Sequence, residues 1–191
     1  LSALPLRLRE QASVYALTDQ GFELTRRSDG PFTCIVERNH ARSIIPQCVD
    51  AAGADTVIPG IILKTNWVAE GVSLQERQSR YAVLADKGEL KAPPRPGINY
   101  MMSDYNYIWN ARAGELMRVP PHVMFYAPGL TNEDIGGSME QGMRINRGVP
   151  FIVQSGIHGY ITSMVERAAD PAGVIEACAG ELPAVAAVLG E

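Results

Sequence analysis

No stretch of this chain approaches the ~20 consecutive apolar residues that cross a bilayer. The longest candidate, from Val57 to Leu63, is interrupted by Pro59 and Gly60, so a membrane span is not expected. Like charges do not cluster either. The 17 Lys and Arg are interspersed with 21 Asp and Glu, for a net charge of -4. Phosphate binding needs a basic stripe, so nucleic acid is excluded as the expected partner. There is no CxxC, and no cysteine and histidine pair stands at zinc-ligand spacing, which argues against a structural zinc site. HExxH, GxSxG, P-loop and GxGxxG motifs are missing as well. Ser138, in "GGSME", lacks the second glycine of a nucleophile elbow. No internal repeat stands out.

Apolar residues are plentiful, at 46% of 191. That supplies one domain, residues 1–191, with a real core. Charged residues are 20%, too few for a disordered chain. The chain opens at Leu1 rather than methionine, so an excised leader and a trimmed start are both open readings.

"LPLRLREQA" reads as a short helical turn. "SVYAL", "FELTRR" and "FTCIVER" follow, joined by "TDQG" and "SDGP". Partial alternation and turn-forming connectors predict an antiparallel meander of three strands. Residues 39–55 read as a long irregular loop, of the kind that is functional or pinned by a crosslink. Ile58, Ile61, Ile62, Thr65 and Val68 fall at helical spacing. Proline is tolerated in a first turn, which sets the expected helix start near Thr56, with Gly71 as the stop. Ser73 with Glu76 makes a capping box for a second helix, with Leu74, Tyr81, Leu84 and Ala85 on its apolar face and Gly88 at its end. "KAPPRPG", residues 91–97, is a stiff strap. Beyond it "INYMM", "YNYIW", "HVMFYA", "FIVQ" and "YITSMV" read as strands separated by turns. The Ala-rich end, within 166–191, reads as a weak peripheral helix broken near Pro183. The expected fold is α+β: a mostly antiparallel sheet, a helical pair packed on one face, and long loops.

Polar groups suited to chemistry lie in the second half. His122 opens "HVMFYA", and Asn132, Glu133 and Asp134 follow in one turn. His158 sits in "SGIHGY" between two strands. If strand ends converge, His122, His158 and one of Glu133 or Asp134 form a set fit for a divalent metal with an open position. The same set suits a general base oriented by a carboxylate. Tyr100, Asn132, Tyr126 and Tyr160 are the candidates for contacting a substrate. Taken singly, each residue has a plainer reading. His122 after two prolines is a strand-entry residue bonded to backbone, His158 completes a hairpin turn, and "TNEDIGG" is a solvated Asx-type turn. The methionines at 101, 102 and 124 read as core.

Three cysteines remain. A Cys34–Cys48 bridge would close a loop of about 15 residues and contribute on the order of 3 kcal/mol. Three buried thiols are the alternative, and cysteine number does not decide between them. Cys48, with His40 and Asp50 nearby, is also a candidate thiol nucleophile, which a bridge would exclude.

"FTCIVERN", "IPQC.D..GADTVIP", "RPGINYMMS" and "HVMFYAPGLTNEDIG" together resemble an uncharacterised group of exported bacterial proteins, from about Leu4 to Tyr160. Where that group has "NGFTC" this chain has "GPFTC", so the turn before the third strand is expected to differ. The resemblance implies a periplasmic or secreted location, a removed signal peptide and the Cys34–Cys48 bridge. It implies no activity. Cys178 would then be buried or paired with another chain. Two functions follow as expectations. One is a small extracytoplasmic hydrolase, metal-assisted or not, acting on a small molecule. The other is a non-catalytic small-molecule-binding domain whose tyrosines and methionines line an apolar pocket.

Overall fold

The computed structural model describes residues 1–143 and 149–165. Its architecture is α+β, built on a mostly antiparallel eight-stranded sheet in the order β2-β1-β3-β4-β5-β8-β10-β9. A 3-10 turn over Leu6–Leu8 precedes β1 (Ser13–Thr18), β2 (Gly21–Arg26) and β3 (Phe32–Glu37). The expected meander is corrected here. β1 and β2 form a hairpin, but β3 returns to the other side of β1 and pairs with it in parallel. The reason lies in 27–31. Ser28 bonds Ser13 Oγ through its backbone N–H and donates its own hydroxyl to the Gln11 carbonyl. Both bonds pull the connector across the start of β1. A Cβ at Gly30 would collide with that carbonyl, so the crossing needs glycine there.

β4 (Ile45–Asp50) lies within the segment expected to be loop, and every one of its residues is buried. Pro46 disguises it. A proline removes a ladder donor, but Pro46 stands where β4 has only β3 beside it, since β5 (Ile98–Met101) pairs at Cys48 and Val49. The helix α1 (Ala51–Ala69) follows without a loop and starts five residues earlier than expected, because Asp50 caps it by accepting from the Gly53 N–H. Pro59 consequently lies inside the helix. It frees the Asp55 carbonyl, and both residues are on the exposed side of the helix, facing solvent.

α1 packs its buried stripe of Val57, Ile58 and Ile61 on Ile35 and Val49 of the sheet. α2 (Leu74–Asp86) is capped by Ser73, as its sequence predicts, and has no fully buried residue. It reaches the rest of the fold through single side chains. Arg77 donates to the Asn39 carbonyl, Arg80 lies over the Trp67 ring, and Tyr81 meets His158. On the opposite face of the sheet the N-terminal segment covers Cys34 and Cys48 with Ala3, Leu4 and Ala12.

β6 (Tyr107–Asn110) leaves the main sheet and pairs with β7 (Glu115–Arg118), a strand the sequence reading placed in no element. β8 (His122–Tyr126) lies between β5 and β10 (Tyr160–Met164), and β9 (Phe151–Ile152) closes the far edge. The short α3 (Met139–Gly142) precedes β9. The expected tail helix and Cys178 lie outside the described residues. No helix among the described residues is long and apolar enough to cross a membrane.

Candidate functional site

The strand alternation decides which side chains meet. Met101 and Met164 flank His122 in register, and Asn99 and Thr162 flank Met124. Side chains two apart on a strand share a face. His122, Met124, Met101 and Thr162 therefore look toward the α1 side, as does Tyr160, two residues before Thr162. Above them lies a cavity of about 450 Å³, bordered by the sheet, α1, the β6–β7 hairpin, α3 and Val153, Gln154 and His158. A second cavity of about 820 Å³, on the α2 side, shares Glu37, Lys64, Tyr81 and His158 with it. Five methionines, Met101, Met117, Met124, Met139 and Met143, line the smaller cavity with Ile45, Val57, Ile61 and Ile108.

Both histidines expected at the site line this one cavity. Each is already tied to backbone. His122 Nδ1 stands 2.8 Å from the Pro120 carbonyl. A carbonyl only accepts, so Nδ1 carries the proton and Nε2 keeps its lone pair. His158 Nε2 stands 2.8 Å from the Lys91 carbonyl, anchoring the proline-rich strap. Its Nδ1 therefore accepts from the Tyr81 hydroxyl, 2.5 Å away. Burial lowers the pKa of both rings against the opposing pull of those carbonyls, and for His158 the nearby Lys64 lowers it further. Both imidazoles are neutral at pH 7.

The carboxylate in the cavity is not one of those expected. Glu133 and Asp134 are exposed and absent from the lining of both cavities. Asp134 instead accepts from the Thr131 N–H and hydroxyl, which holds its pKa low. The lining acid is Glu37, at the end of β3. One of its oxygens is 2.7 Å from Lys64 Nζ and the other accepts from Gln47 at 2.7 Å. Burial works against the Lys64 ammonium, but Glu37 and Tyr81 together outweigh it and hold the pKa above its ordinary value. The chain of bonds continues inward. Asn99 donates to Gln47 Oε1 at 2.6 Å, and on the same face burial and Glu37 keep the Tyr160 hydroxyl protonated.

The expected substrate contacts divide. Tyr160 lines the cavity. Tyr126 does not: its hydroxyl donates to the Asp50 cap and the Ile98 carbonyl, and so fixes the start of α1. Tyr100 lies on the opposite face, edge-on to Phe32. Asn132 exchanges two hydrogen bonds with the Ile152 backbone and pins β9. Cys48 is bonded to Cys34 across β3 and β4. The thiol nucleophile is thereby overturned. Asp50 is a helix cap, and His40 stacks on Trp109. No group of three or more His, Cys, Asp or Glu that could hold a metal occurs among the described residues.

Among the described residues, two lining side chains have unmet hydrogen-bonding capacity. Asn106 is 0% exposed and neither its Oδ1 nor its Nδ2 has a partner; Thr162 is 2% exposed with its hydroxyl unpartnered. Buried polar groups are nearly always paired. Two unpaired groups on the wall of one cavity mark a place where something else supplies the bonds. Sequence reading missed Asn106, Thr162, Glu37 and Lys64. For the last two a signal existed: Glu37 continues the inward alternation of Thr33 and Ile35, and Lys64 follows Val57 and Ile61 on the apolar stripe of α1. A charge on an apolar face needs a partner.

No family model, no curated protein and no solved structure matches this chain.

Proposed function

We propose that this chain is an extracytoplasmic binding domain whose inner cavity holds a small, largely apolar molecule. The observation that carries the reading is the unpartnered Asn106 amide and Thr162 hydroxyl on the cavity wall. Each such group costs about 1–3 kcal/mol in the free protein, and that cost is recovered when a ligand bonds it. The volume of about 450 Å³ suits a small-molecule ligand. Thioether side chains adapt to irregular apolar shapes. The Cys34–Cys48 disulfide supports the location, because such bonds persist in oxidising compartments.

The test is titration with N-phenyl-1-naphthylamine, a neutral fluorophore that brightens in apolar surroundings. One saturable site per chain is expected, and it should disappear in Met124→Trp, which fills the cavity. Absence of saturable binding, or equal binding by a folded Met124→Trp variant, contradicts the reading.

One observation favours the hydrolytic reading: the Tyr81 hydroxyl donates to His158, a proton-transfer pair shared by both cavities. Burial raises the Tyr81 pKa, so the hydroxyl is a phenol and His158 its acceptor. That reading predicts turnover of activated esters that Tyr81→Phe abolishes. Turnover unchanged in that variant would remove the pair from it.

A further inference from the structure

We propose that the ligand of this cavity is electrically neutral and carries a carboxamide or lactam head, bound at Asn106 and Thr162. The proposal rests on the binding reading above and names the chemical class of its ligand.

The charge argument comes first. Among the described residues, the ionic groups lining the inner cavity are Glu37 and Lys64, which neutralise each other at 2.7 Å. Glu37 has no oxygen to spare, because Gln47 donates to the second one. The two histidines are neutral. Arg38 and Arg77 border the outer cavity and not this one. Among the described lining residues an anionic or cationic ligand would therefore find no unpaired counter-charge, and an unpaired charge is the least tolerated group against apolar walls.

The hydrogen-bond argument selects the head. Asn106 offers an unpaired acceptor, Oδ1, and an unpaired donor, Nδ2, on one planar group. A carboxamide or lactam presents the complementary pair, a carbonyl and an N–H, and satisfies both at once. A carboxylate only accepts, and an ammonium only donates. Each would leave one atom of Asn106 buried and unpaired, with the penalty already present in the free protein. The Thr162 hydroxyl donates or accepts as required, and takes the second lone pair of the carbonyl. The remainder of the wall, including Met101, Met117, Met124 and Ile61, contacts an apolar body.

The experiment is calorimetric titration of the full chain at about pH 7.5 with octanamide, octanoate and octylammonium, which share a chain length but differ in head charge. Octanamide is expected to bind one per chain and about tenfold or more tighter than either ion. Asn106→Leu should remove that advantage, with an unchanged far-UV circular dichroism spectrum showing that the variant is folded. Thr162→Val, an isosteric change, should weaken octanamide in the same direction. Tighter or equal binding of either ion overturns the neutral class. Octanamide binding unchanged in both variants overturns the assigned head site. In both cases fluorophore binding by the parent chain leaves the cavity reading standing. Failure of the fluorophore itself is failure of that underlying reading.

Discussion

Thr162→Val should make the free protein more stable, against the usual outcome for a buried threonine. Thr162 sits in the middle of β10, with Met124 on one side and Phe151 on the other, and is 2% exposed. Its hydroxyl has no partner. Valine has the same shape, so the substitution leaves no cavity, and it suits a strand. What changes is one buried polar group whose hydrogen bond is unmade, a cost of about 1–3 kcal/mol. With part of that cost relaxed in the native chain, a gain of about 1–2 kcal/mol is expected. For a domain of this size it corresponds to roughly 2–8 °C in Tm. Urea unfolding with the disulfide intact is the assay, read as a higher midpoint at an unchanged m-value. The same variant should bind octanamide more weakly, so stability and binding move in opposite directions. A lower midpoint would refute the reasoning, because it would mean that the hydroxyl already has its bond in the free protein.

Three further outcomes follow from the same structure. Tyr126→Phe should destabilise by about 1.5–3 kcal/mol, because it removes a donor from the buried Asp50 carboxylate that caps α1; a urea midpoint within error of the parent would contradict this. Replacing Cys34 and Cys48 together by alanine should cost about 3 kcal/mol, since the two are 14 positions apart and the bridge restricts the unfolded chain. An unchanged unfolding free energy there would show that the crosslink constrains nothing. Acid should weaken the fold before the carboxylates titrate. Burial depresses the pKa of His122 and His158, so the unfolded chain takes up protons at about 6.5 while the folded chain resists. Stability is complete above that value and declines as pH falls from it toward the depressed folded-state values. A flat unfolding free energy between about pH 7.5 and 5.5 would exclude this linkage.

Local signals in the sequence identify the elements whose chemistry is local. Ser73 and Glu76 predict the start of α2, and Ser73 does accept from Glu76. The run "HVMFY" is β8, and the proline-rich strap stays outside the sheet. Long-range choices were not legible. Nothing in "SDGP" tells a hairpin from a return around β1, because the deciding bonds run to Ser13 and Gln11. Pro46 falls in a segment that reads as loop and Pro59 in what reads as a first helical turn, yet one sits in β4 where that strand has a single neighbour and the other inside α1 on its wet side. The candidate site divides along the same line. His122 and His158 were identified as a pair and share one cavity. The carboxylate expected beside them is in the neighbouring turn, whereas the acid that reaches the cavity is Glu37, some 85 positions before His122 by the numbering. Asn106 carries no pattern of its own. Its interest comes from burial without a partner, a property of the folded chain.

The central claim, that a neutral molecule completes the bonds of Asn106 inside the cavity, is tested most directly on that side chain. In a 15N-labelled sample the Asn106 amide protons, assigned by their loss in Asn106→Leu, should shift and exchange more slowly with water as octanamide is added. Resonances of Asn106 that stay in place while octanamide saturates the protein, or movement confined to exposed residues, would contradict the account.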